Sequence, residues 1–232
     1  MSEDQAGNDR RGCRSTFLIG AILACLLLVT GFVLTLFQPD GHLPPSASDP
    51  VVVDRSNIFE QEFASACSRV REDASPWAIR LREEDLNAWL WVRLPAWVAH
   101  LGGTDAYGTT PMFQARVEPG RVVITTDTVA IAFRSELVDG DLRIMPATGS
   151  SMGRLPVPSR MVELLMGSIE LPTIGDVLLP GGDGATYGLE DGELVVPARH
   201  RLGDDRVVEL LEVQIDEGEV VLVMRTLPPP SG

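Results

Sequence analysis

The chain contains no lysine: all 19 of its basic residues are arginine, set against 33 acidic residues in a total of 232. The missing lysine is a composition bias and carries no functional reading, but the shortage of positive charge does. Glu3, Asp4 and Asp9 and the three arginines Arg10, Arg11 and Arg14 precede residue 38, so the rest holds 30 acids against 16 arginines, a net −14. A surface this acidic repels phosphate backbones and anionic headgroups, which excludes nucleic acid as a partner. Cysteine is nearly as scarce. Only Cys67 of the three lies beyond residue 38, so no disulfide closes there, and it reads as a small apolar residue on a helix face. His42, His100 and His200 are too scattered for zinc and no Cys/His spacing resembles a site, so neither metal nor cofactor is expected.

The most informative feature that is present is a run of 21 residues without a charge, Phe17 to Phe37. As α-helix, at ~1.5 Å per residue, it covers roughly 30 Å, the thickness of a bilayer's hydrocarbon core. The arginines stand before it, and the first one after it is Arg55. The positive-inside rule then puts the N-terminus in the cytoplasm and residues 38–232 outside. A cleaved signal peptide would have an apolar region of ~7–15 residues, shorter than this one. Cys25 is followed by further apolar residues, where a lipoprotein would turn polar. The expectation is an uncleaved single-pass protein: cytoplasmic tail 1–16, transmembrane anchor 17–37, Pro/Ser-rich linker 38–54, extracytoplasmic domain 55–227, and a disordered tail 228–232. The linker's prolines would hold the domain some tens of Å from the bilayer, at up to ~3.3 Å per residue.

Beyond the linker, Asn57 is expected to cap a helix with Glu60 as its reciprocal partner. Phe59, Phe63, Cys67 and Val70 fall on one face of it. Trp77 to Leu81 alternates as a strand, and Glu83 to Arg93 forms a second helix, its opening Glu83-Glu84-Asp85 complementing the helix dipole. Strand signals follow, broken by Pro119-Gly120, Asp139-Gly140 and Asp191-Gly192, with an amphipathic stretch from Pro158 to Glu170 between them. Strands joined by such short turns run antiparallel. The fold class is therefore α+β, an N-terminal transmembrane helix and then a curved antiparallel sheet packed with two to three amphipathic helices.

Few motifs suggest chemistry. Gly149-Ser150-Ser151-Met152-Gly153 matches G-x-S-x-G, whose serine works from a strained strand-to-helix turn. Pro156 and Pro158 prevent an immediate helix here, so the match is read as coincidental, and Ser151 as a hydrolase nucleophile is the weakest of three functional readings. Pro180 to Gly184 lacks the lysine of a P-loop and the spaced ligands of an EF-hand, and reads as a turn. All four tryptophans, Trp77, Trp89, Trp91 and Trp97, fall within 21 residues. Trp89 and Trp91 point to opposite sides of a helix, so one faces the core. The other either faces outward, to a partner, a sugar or the membrane interface, or is covered by another element as core filler, the favoured reading.

Two segments are similar to a known pattern. Ile79 to Leu90, with Glu83-Glu84, Leu86-Asn87 and Leu90, resembles the "L-T-E-E-x-L-N-x-L-L" phrase of the YpmS-like family of bacterial membrane-anchored proteins, Arg82 standing where the pattern has threonine. Gly153 to Pro158 resembles that family's "G-x-L-P-L-P" phrase. The resemblance implies an extracytoplasmic α+β domain of undetermined activity and supplies no catalytic residues.

The resulting expectation is a non-enzymatic, membrane-anchored protein that binds a lipid or other apolar ligand in a sheet/helix groove. Phe59, Phe63, Trp89, Trp91, Leu164 and Leu165 are the candidates to line it. The alternative is a structural or assembly partner in a cell-envelope complex, which calls for an exposed apolar patch near Trp91 or Trp97.

Overall fold

The structure, a computed structural model, describes residues 26–31, 33–40, 46–71, 74–96, 112–167, 188–190, 192–202 and 204–227. Backbone is helical at 26–31 and 33–35, the later part of the apolar run, while residues 17–25 lie outside the described residues. Among the described residues no helix is long and apolar enough to cross a membrane. His42, Trp97, His100, Ile169, the 180–184 loop and the 228–232 tail also lie outside them.

Helix α1 spans Pro50–Ser68. It starts seven residues before the expected Asn57, because Asp49 and Pro50 make a stronger start. The Asp49 carboxylate accepts from the Val51 N–H at 2.9 Å, and proline at the first helical position gives up no needed donor. Asn57 therefore sits inside the helix, where its side-chain oxygen accepts from Arg93 at 2.8 Å and Glu60 pairs with the same guanidinium at 2.9 Å. The expected linker is shortened to match, and Val70 falls past the helix end, exposed. That end is closed by arginines. Arg71 donates to the Ala66 carbonyl at 3.0 Å, and Arg206 donates to the carbonyls of Arg69 (2.9 Å) and Ser68 (3.1 Å). Cations on the last, unpaired carbonyls also complement the helix dipole.

Strand β1 (Trp77–Arg82) runs directly into α2 (Glu83–Val92). The hairpins follow: β2 (Gln114–Glu118), β3 (Arg121–Thr125), β4 (Val129–Val138) and β5 (Asp141–Pro146). Next come the short β6 (Ser151–Met152) and β7 (Leu155–Pro156), then α3 (Ser159–Gly167). The last strands are β8 (Gly188–Glu190), β9 (Glu193–Pro197), β10 (Arg199–Arg201), β11 (Val207–Asp216) and β12 (Glu219–Leu227).

The α+β class and antiparallel pairing stand as expected, but there are two sheets where one was anticipated. One has the order β1-β12-β11-β10, and the other β2-β3-β4-β5-β9-β8, with the β6–β7 hairpin on β4. The chain changes sheet at buried Ala198, between β9 and β10. Its N–H donates to the Gly140 carbonyl at 3.0 Å, and its carbonyl accepts from Leu210 at 2.7 Å, one bond to each sheet. A second stitch joins two turns: Gly120 donates to Ile215 (2.9 Å) and Gly218 donates to Val117 (3.0 Å). The core cluster of the larger sheet is built from small residues, Val123, Ala130 and Ala132, on one face, and Ala115 and Val117 are buried on the other. Small side chains let the layers approach closely, at the cost of little apolar area per residue.

Candidate functional site

The join of β1 and α2 has no loop, so the first turn of α2 must find its partners elsewhere. Arg82 holds the N-cap position in extended conformation without a side-chain cap bond. The Glu83 N–H donates instead to the Gly218 carbonyl at 2.8 Å, in the β11–β12 turn. The Glu83 carboxylate is thereby left to accept from the Val117 N–H at 2.7 Å. One helical turn on, Asn87 is buried and meets Ala115 twice, accepting from its N–H at 2.6 Å and donating to its carbonyl at 2.8 Å. With Gly218 on the Val117 carbonyl, the outer row of β2 is filled at both Ala115 and Val117. No strand can be added there.

Between the N-terminal turns of α1 and α2 and the two stitched turns lies an open groove of about 1120 Å³, just above the roughly 300–1000 Å³ of typical ligand pockets. Val51, Val52, Ala88, Trp91 and Pro119 give its apolar surface, and Arg55, Arg82, Arg116, Glu84 and Glu118 are among its charged groups. The Trp91 indole N–H is buried and has no acceptor among the described residues. Arg55 pairs with Glu84 at 2.5 Å. Burial raises the Glu118 carboxyl, but hydrogen bonds and charge from Arg121 and Arg116 more than offset that and hold it below the usual range. Arg116 reaches in a second direction as well, its Nη1 donating to the Asp40 carbonyl at 3.3 Å.

Asp40 belongs to a segment that rests on the domain. The β6–β7 turn carries Gly153 at φ +57, and a Cβ there would stand 2.5 Å from the Leu34 carbonyl oxygen and 2.6 Å from that of Phe37. Only glycine permits this approach. Arg154 donates its N–H to Leu34 at 2.9 Å, spreads its guanidinium over the Phe37 ring at 5.5 Å, and pairs with Asp40 at 3.3 Å. Contact with the domain thus begins within the apolar run, which corrects the expectation of a long spacer.

The G-x-S-x-G segment is accounted for by the same hairpin. Ser150 is buried, its Oγ accepting from Ala132 N–H at 3.0 Å, and Ser151 is paired with Ala130 and Pro156. The segment makes strand, turn and strand, without the strand-to-helix bend that raises a nucleophile. His200 stands in β10 of the other sheet. Among the described residues no group of three His, Cys, Asp or Glu is placed to hold a metal.

The six candidate residues do not converge. Trp91 lines the groove. Phe59 and Phe63, with ring centroids 6.2 Å apart, face a separate depression beside β1. Trp89 is half-buried and lines neither, while Leu164 and Leu165 lie in α3 with side chains outside the described set. The sequence reading passed over Glu83 as a helix-start charge and did not single out Asn87 or Arg116. Glu83 and Asn87 at i and i+4 could have signalled a polar stripe facing backbone. No family model matches the chain, nor does any curated protein or solved structure.

Proposed function

We propose that this chain is a membrane-anchored, extracytoplasmic module that binds a lipid or another apolar molecule in the groove between α1, α2 and β2, without chemistry on it. The uncharged run from Phe17 to Phe37, with its arginines on the N-terminal side, supports a single crossing with the N-terminus in the cytoplasm. The observation that carries the ligand reading is the double reach of Arg116. It lines the groove and holds the carbonyl of Asp40, three residues after the apolar run ends. A lipid leaving the bilayer beside that run meets the groove within one side chain's length. The valines of α1, Ala88 and Trp91 offer apolar contact, and the Trp91 N–H is a donor without an acceptor among the described residues. Of the two phrases that resemble the YpmS-like family, one holds Glu83 and Asn87, which line this groove, and the other holds Gly153, which seats the segment leading to Asp40. The assembly-partner reading calls for an exposed apolar patch near Trp91 or Trp97; Trp91 is half-buried in the groove wall, and Trp97 lies outside the described residues.

The test is native mass spectrometry of the full-length chain released from membrane nanodiscs. The expected result is an added mass that organic extraction frees as lipid, and that is lost in a Val52→Glu protein, where a charge replaces one apolar wall. A bare chain mass for the parent protein rejects the reading.

A further inference from the structure

We propose that a second site, the slot between α1 and the outer edge of β1, takes an extended acidic peptide segment of another protein as an added strand. Among the described residues β1 ends its sheet, pairing with β12 alone. Carried back along the antiparallel ladder, the Glu83–Gly218 bond leaves the N–H and C=O groups of Ala78, Arg80 and Arg82 on the outer side. Among the described residues no partner meets these groups of Ala78 and Arg80 or the N–H of Arg82, while the Arg82 carbonyl, at the N-cap of α2, accepts the first bond of that helix. The contrast with β2, whose outer row is filled by Asn87, Glu83 and Gly218, is sharp: among the described residues one edge is closed and the other is left open. The remaining sheet ends, β8 and β10, are three residues each, too short for a ladder of useful length.

Helix α1 packs on α2 and stands off from β1, leaving two depressions of about 580 and 430 Å³. Both are lined by Glu62, Ala66 and Ala78, so they adjoin one another along the strand. Phe59, Glu62, Phe63 and Ala66 recur at the spacing of a single helix face and form the opposite wall. A helix face set across a gap from an open strand edge is the arrangement in which peptides bind by strand addition, main chain supplying affinity and alternate side chains supplying selectivity.

The charge of the slot selects the occupant. In a chain with a net charge of −14, the slot gathers Arg69, Arg71, Arg80 and Arg82 against Glu62 and Asp85. Arg80 is held by Glu219 at 2.8 Å, and Arg71 lies 3.6 Å over the Trp77 ring. Arg69 and Arg82 make no ion pair among the described residues. A segment alternating acidic and apolar residues sets carboxylates against Arg80 and Arg82 and apolar side chains toward Phe59 and Phe63. A second copy of this chain fits worse, because antiparallel β1–β1 pairing about Arg80 stacks arginine on arginine.

The experiment uses the full-length chain in phosphatidylcholine nanodiscs and a fluorescein-labelled peptide of about six residues alternating valine and glutamate, with a valine–lysine peptide as control. The glutamate peptide is expected to bind and to slow amide exchange in residues 77–82, the lysine peptide to do neither. Arg82→Glu should weaken binding on the order of tenfold. Ala78→Pro removes an outward N–H at an edge that tolerates proline, and should abolish binding. Equal binding of both peptides, an unchanged affinity in Arg82→Glu, or protection that misses residues 77–82 overturns the proposal. So does slowed exchange there that tracks protein concentration without peptide, which would be the second copy. Should Ala78→Pro fail to fold, the Arg82→Glu result decides alone.

Discussion

Asn87 holds Ala115 by both ends of its amide, donating at 2.8 Å and accepting at 2.6 Å, from a side chain that is 4% exposed. One residue on a helix thus stands in for a neighbouring strand. Replacing it by alanine strands a buried N–H and a buried C=O, at about 1–3 kcal/mol each. We expect Asn87→Ala to lose about 2–6 kcal/mol in urea unfolding, by a lower midpoint at unchanged slope. Asn87→Asp keeps the acceptor and loses the donor, so its loss should be smaller only if the N–H bond carries most of the effect. An Asn87→Ala protein as stable as the parent would mean that the edge finds other partners.

Gly153 meets two carbonyls from the apolar run at distances no Cβ tolerates, in a backbone conformation side chains avoid. Gly153→Ala should therefore release residues 34–40 from the β6–β7 turn. The readout is amide exchange. The Arg154 N–H, which donates to Leu34 at 2.9 Å, should exchange faster while β11 and β12 keep their protection. Unchanged exchange at Arg154 would show that the contact does not depend on the glycine.

Arg206 closes the end of α1 with two donors from one planar group, on carbonyls 137 and 138 residues away in sequence. Its guanidinium is also fixed by Asp204 at 2.7 Å. Arg206→Met keeps the stem and removes the fork, leaving the Ser68 carbonyl unmet and the Arg69 carbonyl to Arg71 alone at 3.1 Å, a loss of about 1–3 kcal/mol. Lysine is a point charge that cannot span both carbonyls, so Arg206→Lys should recover less than half of the loss. Thermal unfolding of the three proteins measures it, and full rescue by lysine would reduce the effect to charge alone.

Much of this architecture was legible in the chain, and what escaped has a common cause. The hairpins at Pro119-Gly120 and Asp139-Gly140 and the β1–α2 boundary announce themselves through turn residues and local period, because those bonds close between near neighbours in sequence. Asp49-Pro50 was equally local, yet it lies in a proline-rich stretch that also reads as linker, and composition outweighed the cap. The split into two sheets turns on Ala198, which bonds to Gly140 on one side and Leu210 on the other; no local pattern marks an alanine for that. The groove is further still from the sequence. Arg116 is one arginine among 19 until the fold brings Asp40 to it, and the aromatic residues that attracted notice are divided between two surfaces.

Glu209 accepts from Arg225 at 3.0 Å and from Arg199 at 2.8 Å, tying β10, β11 and β12 together. Hydrogen bonds first from Arg225 and then from Arg199 hold its carboxyl below the ordinary value of 4.5. Glu118 shifts the same way, its arginine partners outweighing the effect of burial. A group whose folded pKa is depressed contributes stability that is full above its unfolded pKa and is lost as pH falls through the folded value. Asp85 has the opposite sign: burial raises its carboxyl despite Arg55, so protonation as pH falls favours the folded chain. Unfolding free energy should thus hold steady down to about pH 4.5 and fall below it, Asp85 blunting the start of the decline. Urea titrations across that range on three proteins separate the terms. Glu209→Gln should flatten the acid limb, Asp85→Asn should steepen it, and an acid limb indifferent to Glu209→Gln would locate the linkage in other carboxylates.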